Sequence, residues 1–397
     1  MLTIFHANPA RLEGGRFLVD RKFHTGMQEY LKRLDCPLLT VHPELPAGHE
    51  SLVMDPVSLP EAELGYRVIT ARVDGAGHAL PADLERLSEA VRASRLVYGG
   101  RTEALRLAQR HGVPIVGVLE YNLRTTIVFA CGDGGGVLRR LRKRAGAIRY
   151  YLRELLPIMR NAALLHCNGY PIFEESARFN PRRLLYLDSR MSGDMVIPLE
   201  ALRARLAHRR RRIPRLIFSG RFEPAKGALD AVRVGLECAR AGLEFELHLY
   251  GQGAQRAAME RLVESQGAGS SIRVHAPIPY PELMERSREF DLFVCCHVQD
   301  DPSCTYLEAM GCGLPIAGYG NAMWRSMNRH ARAGIVTPLR RPAELAAAVV
   351  RLLGAPDELD ALSLQARGFA LEHAFEREFE LRTTSLARMY AGAQAGA

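Results

Sequence analysis

Residues 300–313 read DDPSCTYLEAMGCG and run directly into the apolar LPIAGY. Pro302, Ser303 and Thr305 open a short helical segment carrying one carboxylate, Glu308, and Gly311 and Gly313 stop it. The first turn of such a helix has free backbone N–H groups and the positive end of a dipole, a setting that holds a diphosphate. A carboxylate one turn further in repels phosphate but accepts hydrogen bonds from paired sugar hydroxyls. Phosphate plus ribose means a nucleotide. An ordinary capped helix with a surface glutamate reads the same segment without any ligand.

A second run, 216–227 (LIFSGRFEPAKG), supplies charge of the opposite sign. An apolar strand breaks at Ser219 and Gly220, and Arg221 and Lys226 follow on a loop closed by Gly227. In an open α/β sheet, ligands bind at the C-terminal ends of the strands. There a guanidinium grips phosphate oxygens in a fork and an ammonium acts as a point charge. Two solvated loop cations are the plainer alternative. A strand over 244–251, ending at Gly251, separates this run from the acidic one.

Together these segments resemble the donor-binding half of retaining, nucleotide-sugar-dependent glycosyltransferases of the "group 1" family, which have the two-domain GT-B fold. SGRFEPAKG stands for the family's G-R-x-x-x-x-K-G, and LHLYGQG for its strand and glycine turn. IRVHAPIPYPELMERSREFDLFVCC stands for the strand–helix–strand before the site, and DDPSCTYLEAMGCGLPIAGY for its acidic-x7-Glu segment. The resemblance covers roughly residues 213–353. It implies that Arg221 and Lys226 hold the donor diphosphate and stabilise its departure, beside a loop formed by Ser219, Gly220 and Gly251. It implies further that the backbone around Thr305 and Tyr306 meets a phosphate and that Glu308 holds the ribose. Asp300, where the family usually has Glu, would contact the transferred sugar, with Asp301 as its neighbour. No metal and no other cofactor is implied, because the donor phosphate itself assists deprotonation of the acceptor.

In the first half, 114–122 (PIVGVLEYN) places Glu120 at the end of a buried strand, where many relatives carry a histidine. A carboxylate there suits an oxocarbenium-like centre or an acceptor hydroxyl, and a strand-end glutamate capping the next turn is the alternative. Gly14 and Gly15 stand where the family's glycine-rich loop faces the donor, or form a plain turn. His6, Asn8 and His24 are further cleft candidates.

These residues need a scaffold. Strands at 2–5, 38–41, 96–98, 114–119 and 163–167 alternate with helices at 26–34, 81–93, 102–111, 151–160 and 172–177. That alternation predicts a parallel, doubly wound sheet. The grammar repeats after Arg215, and 375–390 has helical periodicity. The fold class expected is α/β, with two Rossmann-like doubly wound domains and a cleft between them. The expected division is 1–205 (acceptor side), 206–372 (donor side) and 373–397, a helix packing back on the first domain. A chain of 397 residues, 47% hydrophobic and 24% charged, suits two such cores.

No apolar stretch approaches the ~20 residues that span a bilayer, and the first residues, MLTIFHANPARLEGG, do not pattern as a secretory leader. Eight scattered cysteines form neither a metal framework nor a disulfide ladder, which points to a reducing cytoplasm. The net charge of +9 concentrates in two places. Residues 139–160 (including Arg139, Arg140, Arg142, Lys143, Arg144, Arg149, Arg153 and Arg160) read as a basic helix with Ile148, Tyr151, Leu152, Leu155, Leu156 and Met159 on an apolar face. Such a helix either packs on the core or lies on the inner, anionic face of a membrane as a peripheral contact. The loop 132–136 (GDGGG) before it reads as a flexible, acceptor-side element. The run of four arginines at 209–212 reads as a solvated interdomain linker. Nucleic acid is not an expected partner, since nothing supplies aromatic stacking or a reading helix.

The expected function is transfer of a sugar, with retention, from a nucleotide-diphosphate sugar to an acceptor hydroxyl. The acceptor would be a glycan, a lipid-linked precursor of cell-surface polysaccharide, or a small molecule. A non-catalytic nucleotide-sugar-binding protein and a nucleotide-sugar epimerase of the same fold are the alternatives.

Overall fold

The computed structural model describes residues 1–53, 55–75, 77–131 and 136–393. Its first sheet has seven parallel strands. From edge to edge they are Arg183–Tyr186, Leu164–Asn168, Ile115–Leu119, Leu96–Gly99, Leu2–Phe5, Leu38–Pro43 and Arg67–Ala71. The second has six, also parallel: Ile272–His275, Glu246–Tyr250, Arg215–Ser219, Leu292–Cys295, Ile316–Tyr319 and Gly334–Thr337. Helices cover both faces of each sheet. The strands are therefore near-continuous apolar runs, as at Leu216, Ile217 and Phe218, all buried.

In both sheets the chain order reverses at one point. That point lies between Leu2–Phe5 and Leu96–Gly99 in the first sheet, and between Arg215–Ser219 and Leu292–Cys295 in the second. The loops leaving these strands diverge and open a crevice at each carboxyl edge.

Several elements escaped the sequence pattern. The strands Arg67–Ala71 and Arg183–Tyr186 and the helices Leu123–Cys131 and Leu199–Arg209 are among them. So is a three-stranded antiparallel sheet of Arg11–Glu13, Arg16–Asp20 and Pro56–Pro60. Gly14 and Gly15 are its hairpin turn. Both take positive φ (56° and 70°) between paired strands and stay exposed at the tip, the two-residue turn that such a conformation favours. They do not line a cleft, and the expectation that they bind donor is corrected to the plain turn.

The helix Leu199–Arg209 packs on the second sheet's side, not the first. Leu202 lies against Gly313, and the Arg205 guanidinium donates to the carbonyls of Arg288, Cys312 and Gly313 at 2.6–3.0 Å. The chain thus crosses between the sheets before Ile197 rather than at 205. The arginines at 209–212 are not a solvated linker either. Arg209 is buried and pairs with Asp360, Arg210 pairs with Asp357 and Asp360, and Arg212 grips the buried Asp291 with two bonds of 2.9 Å. Carboxylates brought near by the fold, Asp291 fully buried and Asp357 exposed, account for Arg209, Arg210 and Arg212, while Arg211 faces solvent.

The basic segment is two helices. Val137–Tyr150 runs to a π-turn at Tyr151–Leu155, and Leu156–Asn161 follows. Tyr151, Leu155, Ile158 and Met159 turn into the first core. Val137, Leu138, Leu141 and Leu152 are exposed, each above half of its surface. Of the expected loop 132–136, residues 132–135 lie outside the described residues. The final helix, Phe375–Gly392, returns to the first sheet, where Phe379 and Leu386 join the core containing Tyr30 and Tyr98.

Candidate active site

At the second sheet's crevice, the strand Arg215–Ser219 delivers a loop pinned by the fully buried Phe222, whose N–H donates to Gln252 O at 2.7 Å. The neighbouring loop approaches so closely that a Cβ on Gly251 would lie 1.9 Å from the Gly220 carbonyl oxygen. Ser219, Gly220 and Gly251 therefore share one backbone platform. Arg221 stands above it, exposed and 3.2 Å from Glu223. Lys226 ends a short turn, Pro224–Lys226, and is buried. Gly227 follows with φ 66°, and a Cβ there would collide with the Cys296 carbonyl at 2.1 Å, so the loop needs glycine.

The acidic loop meets Lys226 from the adjacent strand. The Lys226 Nζ lies 3.1 Å from Asp301 Oδ2 and 3.2 Å from Ser303 Oγ. Ser303 Oγ also contacts Thr305 Oγ1 at 3.1 Å, at the start of the helix Thr305–Gly311. Asp300 is buried; its Oδ1 accepts from Ala322 N at 2.6 Å, and Arg124 Nε of the first half lies 3.4 Å from its Oδ2. One Asp300 oxygen thus caps the helix Ala322–Ala331, and it is Asp301 that reaches Lys226.

Around this point the ring nitrogens of His297 and the amide atoms of Gln299 are buried without a protein partner, as is Asp301 Oδ1. Such a concentration of unsatisfied polar atoms marks a place where a ligand or water completes the bonding.

Tyr306 is anchored here by its side chain. Its ring is fully buried and stacked on Trp324, and its hydroxyl accepts from Asn321 Nδ2 at 2.9 Å. Its side chain belongs to the core, and its amide already approaches Ser303 O at 3.4 Å. Glu308, one turn on, is buried and held by Arg190, whose Nε and Nη2 donate to Oε1 at 3.1 and 2.8 Å.

Facing this edge, the first sheet's crevice opens into a cavity of about 510 Å³ lined by His6, Asn8, Lys22, Arg101, Glu120 and Tyr121, among others. Glu120 follows the strand Ile115–Leu119 and points into this space. Desolvation at the cleft, reinforced by the charge of Asp188, raises its carboxyl above the usual range, although the side chain keeps access to solvent, which weakens the effect. Burial, then Lys22 and Arg101, lower His6 to about 4, so its ring is neutral at pH 7. His24 does not line the cavity; its Nδ1 lies 3.5 Å from the Tyr66 hydroxyl.

Lys22, near the start of the helix Arg21–Arg33 that Asp20 caps, pairs with Asp188 and lies 4.0 Å from Cys304 Sγ of the acidic loop. The two crevices therefore face each other across one cleft. Among the described residues, no group of three or more His, Cys, Asp or Glu is placed to hold a metal ion.

Sequence reasoning missed Lys22, Arg124, Asp188 and Arg190. Only Lys22 had a local signal, the Asp20 cap beside it. The others lie in segments without a motif and become functional candidates through contacts with residues distant in the chain.

Known proteins resemble this chain in part of its sequence and in its fold. Residues 213–355 match the family model described as "Glycosyl transferases group 1". The D-inositol 3-phosphate glycosyltransferase of Thermobispora bispora is 28% identical over 184 residues, 44% of this chain and 42% of that protein. The 2-deoxystreptamine glucosyltransferase of Streptomyces kanamyceticus is 30% identical over 144 residues, 36% of this chain and 37% of that protein. The matched stretch thus spans less than half the length of these relatives. Over the whole chain, the fold is shared with Anabaena Alr3699/HepE in complex with UDP (TM-score 0.64, 13% identity, all of both chains). It is shared equally with the sucrose-phosphate synthase of Thermosynechococcus elongatus (TM-score 0.64, 16% identity, 100% of this chain and 99% of that one). The two-sheet architecture is the GT-B fold, and residues 213–355 in its second half are similar to the group 1 glycosyl transferases.

Proposed function

We propose that this chain, a GT-B protein with a group 1 glycosyltransferase domain, moves a sugar with retention from a nucleoside-diphosphate sugar to an acceptor hydroxyl. The observation that carries the reading is the convergence of Lys226, the Ser303–Thr305 turn and Glu308 on one edge, opposite the cavity that holds Glu120. A diphosphate placed there meets Lys226, Arg221 and the first-turn N–H groups, and its ribose meets Glu308. The bond from the anomeric carbon to the phosphate oxygen breaks while these charges stabilise the leaving diphosphate, which is the principal catalytic contribution. The acceptor oxygen bonds to the same carbon from the same face, and its proton passes to a diphosphate oxygen. Glu120 faces the cationic sugar from across the cleft. UDP in the HepE complex supports a nucleoside diphosphate as the donor end.

The acceptor proposed is a lipid-linked glycan or polysaccharide precursor, reached from the cytoplasmic face of a membrane. The support is the helix Val137–Tyr150. It exposes Val137, Leu138 and Leu141 beside Arg139, Arg140, Arg142 and Arg144, and its Tyr150 borders the cavity. No helix among the described residues is long and apolar enough to cross a membrane, so such contact would be peripheral. A small polyhydroxylated ring is the second reading. It is favoured by the cavity's volume of about 510 Å³ and by the inositol phosphate and deoxystreptamine named for the two relatives.

Thermal-shift screening of UDP-, GDP- and dTDP-sugars tests the donor assignment, because a ligand at 100 times its dissociation constant adds about 2.7 kcal/mol. With the stabilising donor, Lys226→Ala and Arg221→Ala are each expected to lower turnover at least about tenfold. Product analysis should show the donor's anomeric configuration kept. Undiminished nucleotide affinity in both variants removes them from the site, and an inverted product refutes retention.

A further inference from the structure

Glu308 has a charged partner at the site. Its partner Arg190 lies 118 positions earlier in the chain, on the segment that joins the strand Arg183–Tyr186 of the first sheet to the helix Leu199–Arg209 on the second. That segment is held firmly on both flanks. Leu187 N and Gly193 N donate to the carboxylates of Glu378 and Glu376 at 3.0 and 3.1 Å. Met191 packs on Gly311, leaving so little room that a Cβ there would lie 2.7 Å from its Cε.

From this mount the Arg190 guanidinium lies over the Tyr280 ring, 4.2 Å from its centroid, and sends both of its carboxylate bonds to a single oxygen, Glu308 Oε1. Oε2 is left for another donor. The Tyr280 hydroxyl, beside the same carboxylate, is buried with no protein partner. A carboxylate one turn from a phosphate-binding helix start is the part that would read ribose, and Arg190 controls which way that carboxylate faces.

We propose that Arg190 is a positioning residue for nucleoside recognition. It fixes Glu308 by Oε1 so that Oε2 meets the ribose hydroxyls, and with Tyr280 it walls the nucleoside end of the cleft. The inference rests on the donor reading above. Arg190 touches Glu308, not the diphosphate, so it acts on discrimination between sugars of the nucleotide and not on phosphate affinity. A lysine in its place keeps one charge and one bond but loses the fork and the stacking.

The test measures binding of UDP and GDP, each beside its 2′-deoxy counterpart, and of inorganic pyrophosphate. The wild type is expected to prefer the ribonucleotide. In Arg190→Gln that preference should fall by about tenfold, the scale of one hydrogen bond to a charged group, while pyrophosphate affinity stays within roughly twofold. Arg190→Lys should retain part of the preference. Glu308→Gln should lose as much as Arg190→Gln, and the double variant no more than either, since both act through one contact. An unchanged ribose preference in Arg190→Gln overturns the inference, as does an equal loss for pyrophosphate, which would place Arg190 on the phosphates. A wild type that binds none of the nucleotides refutes the donor reading itself, and the inference with it.

Discussion

Lys226 Nζ lies 3.1 Å from Asp301 Oδ2, a contact between the loops that leave two adjacent strands at the crossover of the second sheet. Both side chains are largely shielded from solvent, with exposures of 8% and 14%. The proposed phosphate cation is therefore already paired with a carboxylate of the protein. An incoming diphosphate must draw Lys226 away from a carboxylate that then stays beside it.

Asp301→Asn should consequently tighten binding of pyrophosphate and of nucleoside diphosphate together, by about three- to tenfold, since one competing negative charge is removed. Isothermal titration measures both. Weaker binding of both ligands would show that Asp301 orients Lys226 for the phosphates instead of competing with them.

Glu120 makes a pH prediction whose sign follows from its raised carboxyl. A carboxylic acid that holds its proton more tightly than usual is ionised only above its raised value. Activity that needs the carboxylate is then lost as pH falls through a point above the ordinary carboxylate range. The acid limb of kcat/KM should lie correspondingly high and disappear in Glu120→Gln. The same shift costs the fold only above the unfolded-state value, and solvent screens that cost because the side chain is exposed, so Glu120→Gln should change Tm little at either pH 7 or pH 4. An acid limb that survives the substitution assigns it to another group.

The exposed apolar and basic face of Val137–Tyr150 should make the protein sediment with phosphatidylglycerol-containing vesicles at low salt and come off at high salt, because salt screens the attraction. Replacing Arg139, Arg140, Arg142 and Arg144 with Gln removes several kcal/mol at roughly 1 kcal/mol per basic residue near the surface. Sedimentation should vanish with Tm unchanged, since these side chains are exposed. A wild type that ignores the vesicles at low salt favours the small-molecule acceptor.

Much of the second sheet's carboxyl edge was legible in the sequence because its determinants are contiguous. A buried strand, a glycine break and a cation a few residues on, or a helix start with a carboxylate one turn inside, are decided by backbone geometry within a short window. Lys226 and Glu308 stand at the second sheet's crevice for that reason, and the alternation of apolar strands and helices was enough to fix two parallel sheets.

What the tertiary structure decided was which charges meet. Lys226 finds Asp301 across 75 positions, and Glu308 finds Arg190 across 118. Arg209, Arg210 and Arg212 find carboxylates up to 151 positions away and cease to be a solvated linker. Gly14 and Gly15, equal in sequence to a phosphate loop, became a hairpin turn because Arg11–Glu13 and Arg16–Asp20 pair as antiparallel strands. Local pattern states where a charge can sit. Only the packing of remote segments determines what neutralises it, because desolvation makes a buried charge depend on whichever partner the fold brings within reach.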